Sequence, residues 1–218
     1  MEGIDPVFEE LREAGVAAVV TIEDDAQAVP LARALLAGGV RAMELTLRTP
    51  AAIEALRNIA LDVPEMLLGA GTVLTRKQVE LVRESGAQFA VAPGFNPTVV
   101  RAAQTAGLPF APGVATPSDI EAALEIGCHV LKFFPAGNLG GCRGLENMAA
   151  PYRHLGLRFI PLGGVTRDNL GEYLASLDVL AVGGSWLAPV SLVAAEDWDE
   201  IEAEAQATAS AVAATRGD

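Results

Sequence analysis

Short apolar runs alternate along this chain with longer stretches whose apolar residues recur every three to four positions. The runs are AAVVTI (17–22), RAMELTL (41–47), MLLGAG (66–71), QFAVAP (88–93), PFAPGV (109–114), HVLKFF (129–134), RFIPLGG (158–164) and VLAVGG (179–184). Runs of this length, ended by glycine or proline, read as strands buried on both faces. The stretches between them read as helices with identifiable ends. DDAQAVPLARALLAGG starts near Asp24 or Asp25 and ends at Gly38 and Gly39. TPAAIEALRNIA has Thr49 as N-cap and Pro50 at the first helical position. Three more run from Thr75 to Gly86, from Asn96 to Gly107 and from Thr116 to Gly127, and another starts at Thr166. A hydroxyl or amide side chain satisfies the first free N–H groups of a helix, proline fits its first turn, and glycine accepts the backbone that closes it.

Strands that alternate with helices form parallel sheets, because the crossover between parallel strands is a helix. Eight such units close a (β/α)₈ barrel of the TIM type, with a doubly wound open sheet as the alternative. Two helices lie outside the repeat. Residues 5–13 are placed across the bottom of the barrel, and residues 196–215, acidic first and alanine-rich afterwards, on its outside. No linker or low-complexity segment divides the chain, so residues 1–218 read as a single α/β domain.

The pattern also picks out chemistry. Successive strand residues point to opposite faces. In the sixth run Leu131 and Phe133 make a wholly apolar face for the helix layer, which turns Val130, Lys132 and Phe134 inward. In the second run Met43, Leu45 and Leu47 are the apolar set, and Glu44, Thr46 and Arg48 are the other. A lysine, a glutamate and an arginine are therefore aimed into the barrel or toward its C-terminal mouth, where barrel enzymes keep their active sites. The plainer readings are a buried ion pair for Lys132 and Glu44, and a solvated strand end for Arg48. The functional one follows from what each group does. Burial disfavours the charged form of an amine, and a neutral amine is the nucleophile that forms an imine with a ketone. A nearby carboxylate moves protons, and the guanidinium fork fits a substrate carboxylate. The glycine pairs in PLGGVTRDN (161–169) and VGGSWL (182–187) follow the seventh and eighth strands, where phosphate sites in this architecture commonly lie. Ser185 adds a hydroxyl there. In GAGTVLT (69–75), Thr72 reads as a substrate contact and the glycines as backbone clearance.

Composition narrows the partners. A net charge of −13 argues against nucleic acid, whose phosphates need basic patches, but leaves room for a small anionic substrate. Two cysteines, Cys128 and Cys142, without metal-ligand spacing fit a reducing cytoplasm. With two histidines in the chain, a multi-histidine metal site or a histidine-centred triad would need both. No signal peptide is apparent at the N-terminus, and no apolar run is long enough to span a membrane.

The segments GGVRAMELTLRTP, GAGTVLT, GAQFAVAPG, PGVATPSDI, LKFFPAGNLGG, PLGGVT and VGGSWL, in this order over about residues 16–190, resemble the 2-keto-3-deoxy-6-phosphogluconate (KDPG) aldolase family, whose members are also called 4-hydroxy-2-oxoglutarate (KHG) aldolases. The resemblance implies a class I, metal-independent lyase without a cofactor, on a (β/α)₈ barrel that is usually a homotrimer. It implies that Lys132 forms the imine with pyruvate and Glu44 shuttles protons. Arg48 and Thr72 would hold the pyruvyl carboxylate, Pro93 and Phe134 would line the pocket, and Gly163, Gly164, Gly184 and Ser185 would bind phosphate. The chain departs from the pattern at Gly137, where many members are acidic, at Leu162, where many have threonine, at Ala17 and Ala18, where proline is common, and near Thr21, where some are basic. Those departures bear on the aldehyde half of the substrate. A 2-keto-3-deoxy-6-phosphogalactonate aldolase is an alternative expectation, and a phosphosugar-binding barrel without imine chemistry is another.

Overall fold

Pro112 divides the fifth expected strand. In the computed structural model of the chain, which describes residues 4–217, that stretch is β5 (Phe110–Ala111) and β6 (Gly113–Val114). A proline nitrogen has no hydrogen to give to a ladder. Before it come β1 (Val16–Val20), β2 (Ala42–Thr46), β3 (Leu67–Gly71) and β4 (Phe89–Val91). After it come β7 (Val130–Phe133), β8 (Arg158–Pro161) and β9 (Val182–Gly184). All the pairings are parallel. Among the described residues they form a six-stranded sheet in the order β5-β4-β3-β2-β1-β9 and a three-stranded sheet in the order β6-β7-β8. This corrects the expectation of eight unbroken strands in one sheet.

The two sheets meet at both edges. At one edge the chain passes from β5 straight into β6, and the Pro112 carbonyl accepts the N–H of Lys132 at 2.8 Å. At the other, Phe159 of β8 pairs with Val179, its N–H donating to Asp178 and its carbonyl accepting from Leu180, both at 2.8 Å. The expected eighth strand thus begins as an isolated bridge and becomes regular at β9.

The helices are α1 (Pro6–Ala14), α2 (Ala28–Ala37), α3 (Ala52–Asp62), α4 (Arg76–Glu84), α5 (Pro97–Ala106), α6 (Pro117–Glu125), α7 (Gly141–Ala149), α8 (Leu170–Leu174), α9 (Val190–Ala195) and α10 (Trp198–Arg216). Their caps follow the local chemistry in most cases. Thr75 with Gln78 and Thr116 with Asp119 make reciprocal capping boxes, and Asn96 accepts from the N–H of Thr98. Three expected starts move. Asp24 caps a short 3₁₀ turn over Asp25–Gln27, so α2 begins at Ala28. The Thr49 hydroxyl bonds the Ile22 carbonyl across the end of β1, so α3 begins without a side-chain cap. Asn169 bonds the N–H of Thr166 and the carbonyl of Gly164, which holds that segment as a turn until Leu170. The helices α7 and α9 were not foreseen: the first starts in a run of glycines, and the second is short.

Apolar residues sort into two layers. Met43, Leu45, Leu131 and Phe133 face the helices. Ala17, Ala42, Leu67, Phe89, Val130, Ile160 and Leu180 cluster on the other face of the strands, joined by Phe8 and Leu11 of α1. The Phe8 and Phe89 rings sit 6.2 Å apart. The alternation read from the sequence therefore holds, and α1 packs at the end of the sheets opposite the strand C-termini. The helix α10 packs against α2 and α8.

Candidate active site

The inward faces of β2 and β7, which belong to different sheets, bring Glu44 and Lys132 into contact. Lys132 Nζ donates to Glu44 Oε1 at 3.0 Å, with the two side chains 6% and 4% exposed. In the ladders Glu44 lies beside Gly69 of β3, and Lys132 beside Gly113 of β6 and Ile160 of β8. A methyl group on Gly71 would lie 2.1 Å from Glu44 Oε1, so a side chain there would displace the carboxylate. The glycines of GAGTVLT were expected to give backbone clearance; at Gly69 and Gly71 the space is instead taken by side chains, the Phe89 ring and the Glu44 carboxylate. Lys132 Nζ also stands 5.5 Å from the centroid of the Phe134 ring. A buried pair of this kind is held by its mutual charge, since removing either member strands the other.

Arg48 lies just beyond the end of β2, exposed, and its hydrogen bonds go to residues other than the pair. Its guanidinium turns toward β1: Nε donates to Thr46 Oγ1 at 3.2 Å and Nη2 to Thr21 Oγ1 at 2.7 Å. Thr72 follows β3 directly, with φ of 59°. Left-handed backbone is unusual for a β-branched residue and gathers at functional positions.

The remaining expected residues border this region. Pro93 is exposed, and its carbonyl crowds Gly113, the ladder partner of Lys132, leaving room for hydrogen alone. The Phe134 ring packs on Gly163. Gly163 and Gly164 have φ of 82° and 85°, a left-handed turn that glycine adopts freely. The Gly163 carbonyl accepts the N–H of Gly137 at 2.7 Å, and Gly137 packs directly on Gly164. The second glycine pair is a different device from the first. Gly184 is an ordinary residue of β9 whose missing side chain makes room for the Trp186 ring, and Ser185 is exposed. The expectation of two equivalent strand-to-helix turns is corrected accordingly: neither pair leads straight into a helix.

Sequence reasoning placed Thr46 on the face of Glu44 and Arg48 but gave it no task, and gave Thr21 none. Both hold Arg48. The signal for Thr46 was present in the period-two pattern, since it lies between two residues already singled out; Thr21 is reached only through its contacts in space. Cys142, at the start of α7, donates to the Glu172 carbonyl, and burial together with Glu146 and Glu172 pushes its thiol upward, away from the reactive thiolate.

The fold buries one lysine against one carboxylate, the two kinds of group that imine chemistry uses. Residues 7–204 match the aldolase family described as "KDPG and KHG aldolase". The chain belongs to that family. It is 48% identical over 202 residues to the 2-dehydro-3-deoxy-phosphogluconate aldolase of Treponema pallidum, covering 93% of this chain and 95% of that one. It is 44% identical over 186 residues to the KHG/KDPG aldolase of Escherichia coli strain K12, covering 85% and 86%. Its fold matches the crystal structure of KDPG aldolase from Legionella pneumophila with pyruvate captured as a covalent carbinolamine, with a TM-score of 0.88, 37% identity, and coverage of 92% of this chain and 97% of that one.

Proposed function

We propose that this protein is a class I aldolase that cleaves KDPG to pyruvate and glyceraldehyde 3-phosphate, and 4-hydroxy-2-oxoglutarate to pyruvate and glyoxylate. The observation that carries the reading is the buried contact of Lys132 with Glu44. Lys132 passes a proton to Glu44 along their hydrogen bond, and the freed amine adds to the C2 ketone. Glu44 returns that proton to the carbinolamine hydroxyl, which leaves as water, giving the iminium and restoring the Glu44 carboxylate. Glu44, directly or through a water, then takes the proton of the C4 hydroxyl. The C3–C4 bond breaks, its electrons pass to the iminium nitrogen, and the aldehyde leaves. The enamine takes a proton at C3, and hydrolysis of the imine returns pyruvate and the amine. The reaction needs an electron sink, which the iminium supplies.

In this reading Arg48 and Thr72 hold the pyruvyl carboxylate. Pro93 and Phe134 line the pocket, with the Phe134 ring between Lys132 and Gly163. Gly163, Gly164, Gly184 and Ser185 receive the phosphate. We read β5 and β6 as one strand interrupted at Pro112, and the two sheets as one (β/α)₈ barrel, supported by the Phe159–Val179 pairing at the other edge. By the same resemblance the enzyme works as a homotrimer. A cytoplasmic setting fits its two free cysteines, and no helix among the described residues is long and apolar enough to cross a membrane.

The test is reduction with sodium borohydride in the presence of pyruvate, followed by intact and peptide mass measurement. A reduced pyruvyl adduct is expected on the peptide that carries Lys132. The only other lysine is Lys77, exposed on α4. An unmodified protein, or an adduct on Lys77 alone, overturns the mechanism.

A further inference from the structure

The end of β1 meets the end of β2 through hydroxyl groups. Thr46, 2% exposed, donates its hydroxyl proton to the Val20 carbonyl at 3.0 Å. With that proton committed, the 2.9 Å contact between Thr21 Oγ1 and Thr46 Oγ1 is a bond that Thr21 donates. Each oxygen keeps lone pairs for Arg48: Thr46 Oγ1 accepts from Nε and Thr21 Oγ1 from Nη2. These two nitrogens form one edge of the guanidinium fork. A carboxylate binds arginine through two parallel N–H donors, and with the Nε–Nη2 edge taken, the edge formed by Nη1 and Nη2 is left for it.

We propose that Thr21 and Thr46 are positioning residues. As a bonded hydroxyl pair they occupy the side edge of Arg48 and present its end-on edge to the substrate carboxylate. This deepens the proposed function and rests on Arg48 being the carboxylate ligand. An unsupported arginine at an exposed strand end has several rotatable bonds, and ordering it has an entropic cost at each binding event. Two hydroxyl acceptors meet that cost during folding. Thr21 is the informative member, because Thr46 also secures the β1–β2 backbone whereas Thr21 serves the network alone among the described contacts.

The experiment is the rate of borohydride inactivation as a function of ketone concentration, with pyruvate and with acetone, for the wild type, Thr21→Val, Thr21→Ser and Arg48→Ala. Acetone forms the same imine but carries no carboxylate. Thr21→Val is expected to raise the half-saturating pyruvate concentration on the order of tenfold, the scale of one lost bond to a charged group. Its limiting rate and its behaviour with acetone should stay near wild type, and Thr21→Ser should restore pyruvate affinity. If Arg48→Ala weakens pyruvate and Thr21→Val does not, the positioning role is wrong and the carboxylate role stands. An Arg48→Ala protein with unaltered pyruvate dependence overturns both. A Thr21→Val defect equal for pyruvate and acetone marks a general structural lesion and overturns positioning. Circular dichroism of each variant establishes folding, and Thr21→Ser carries the comparison if Thr21→Val does not fold: a serine variant that loses pyruvate affinity overturns the proposal.

Discussion

Lys132 Nζ and Glu44 Oε1 meet at 3.0 Å across 88 positions of sequence and from two different sheets. The contact bears on folding, because both charges are buried and each is the other's partner. Loss of one partner of a buried pair costs about 3–5 kcal/mol, whereas replacing both with neutral groups of similar volume is far less damaging. Lys132→Met and Glu44→Gln should each lower stability by that order, and the double variant should lose less than the sum. Urea unfolding of the four proteins measures this cycle. Additive losses would mean that the two groups do not stabilise one another in the folded state.

Gly71 tests the placement of Glu44 without substituting either charged residue. Its absent side chain leaves the space that Oε1 occupies, at 2.1 Å from where a Cβ would stand. Gly71→Ala must push the carboxylate by about 1 Å or more, a misplacement that commonly costs about 100-fold in rate. We expect kcat for KDPG cleavage to fall by that order while borohydride still traps pyruvate on Lys132. A variant with wild-type kcat would remove Glu44 from proton transfer.

The residues that were legible in the sequence are those governed by local periodicity. Period two along 41–47 and 129–134 separated Glu44 and Lys132 from Met43, Leu45, Leu131 and Phe133, and the two core layers keep that separation. Capping at Thr75, Asn96 and Thr116 was legible because each side chain bonds within three residues of itself. What escaped was set by distant partners. Thr49 and Thr46 both donate to carbonyls of β1 or just past its end, so the partner of each was out of reach of local reading, although the face of Thr46 was not. The glycine pairs look alike as strings and differ in space, because Gly163 and Gly164 form a left-handed turn while Gly184 yields to the Trp186 ring. The break of the fifth strand was written in Pro112, whose missing N–H outweighs the apolar run around it.

Cys128 gives the chain a pH dependence of known sign. The residue is 6% exposed, just before β7 and beside a cleft under α1, and burial pushes its thiol from 9.0 up to about 11. Between those values the unfolded chain has released this proton and the folded chain still holds it, so stability falls as pH rises through that window. The contribution is fully present below about pH 9. Measured against Cys128→Ala by urea unfolding from pH 8 to 11, the wild type's advantage should shrink from about pH 9 upward, and the thiol should resist alkylation at pH 8. A constant difference across the range would show that the thiol titrates as it does in the unfolded chain.

In the proposed function Thr72 sets stability against carboxylate binding. Its φ of 59° places a β-branched residue in the left-handed region, which costs about 1–2 kcal/mol per residue. Glycine takes that conformation without strain, although its looser unfolded chain returns part of the gain. Thr72→Gly is therefore expected to match or exceed the wild type in stability by up to about 1 kcal/mol. The same change deletes the hydroxyl assigned to the pyruvyl carboxylate, so the half-saturating pyruvate concentration in borohydride trapping should rise on the order of tenfold, the scale of one lost bond to a charged group. Thermal unfolding and trapping on the same preparation read the two effects together. A variant that binds pyruvate normally would free Thr72 from the carboxylate, and one that is strongly destabilised would show that the methyl and hydroxyl packing outweighs the backbone strain.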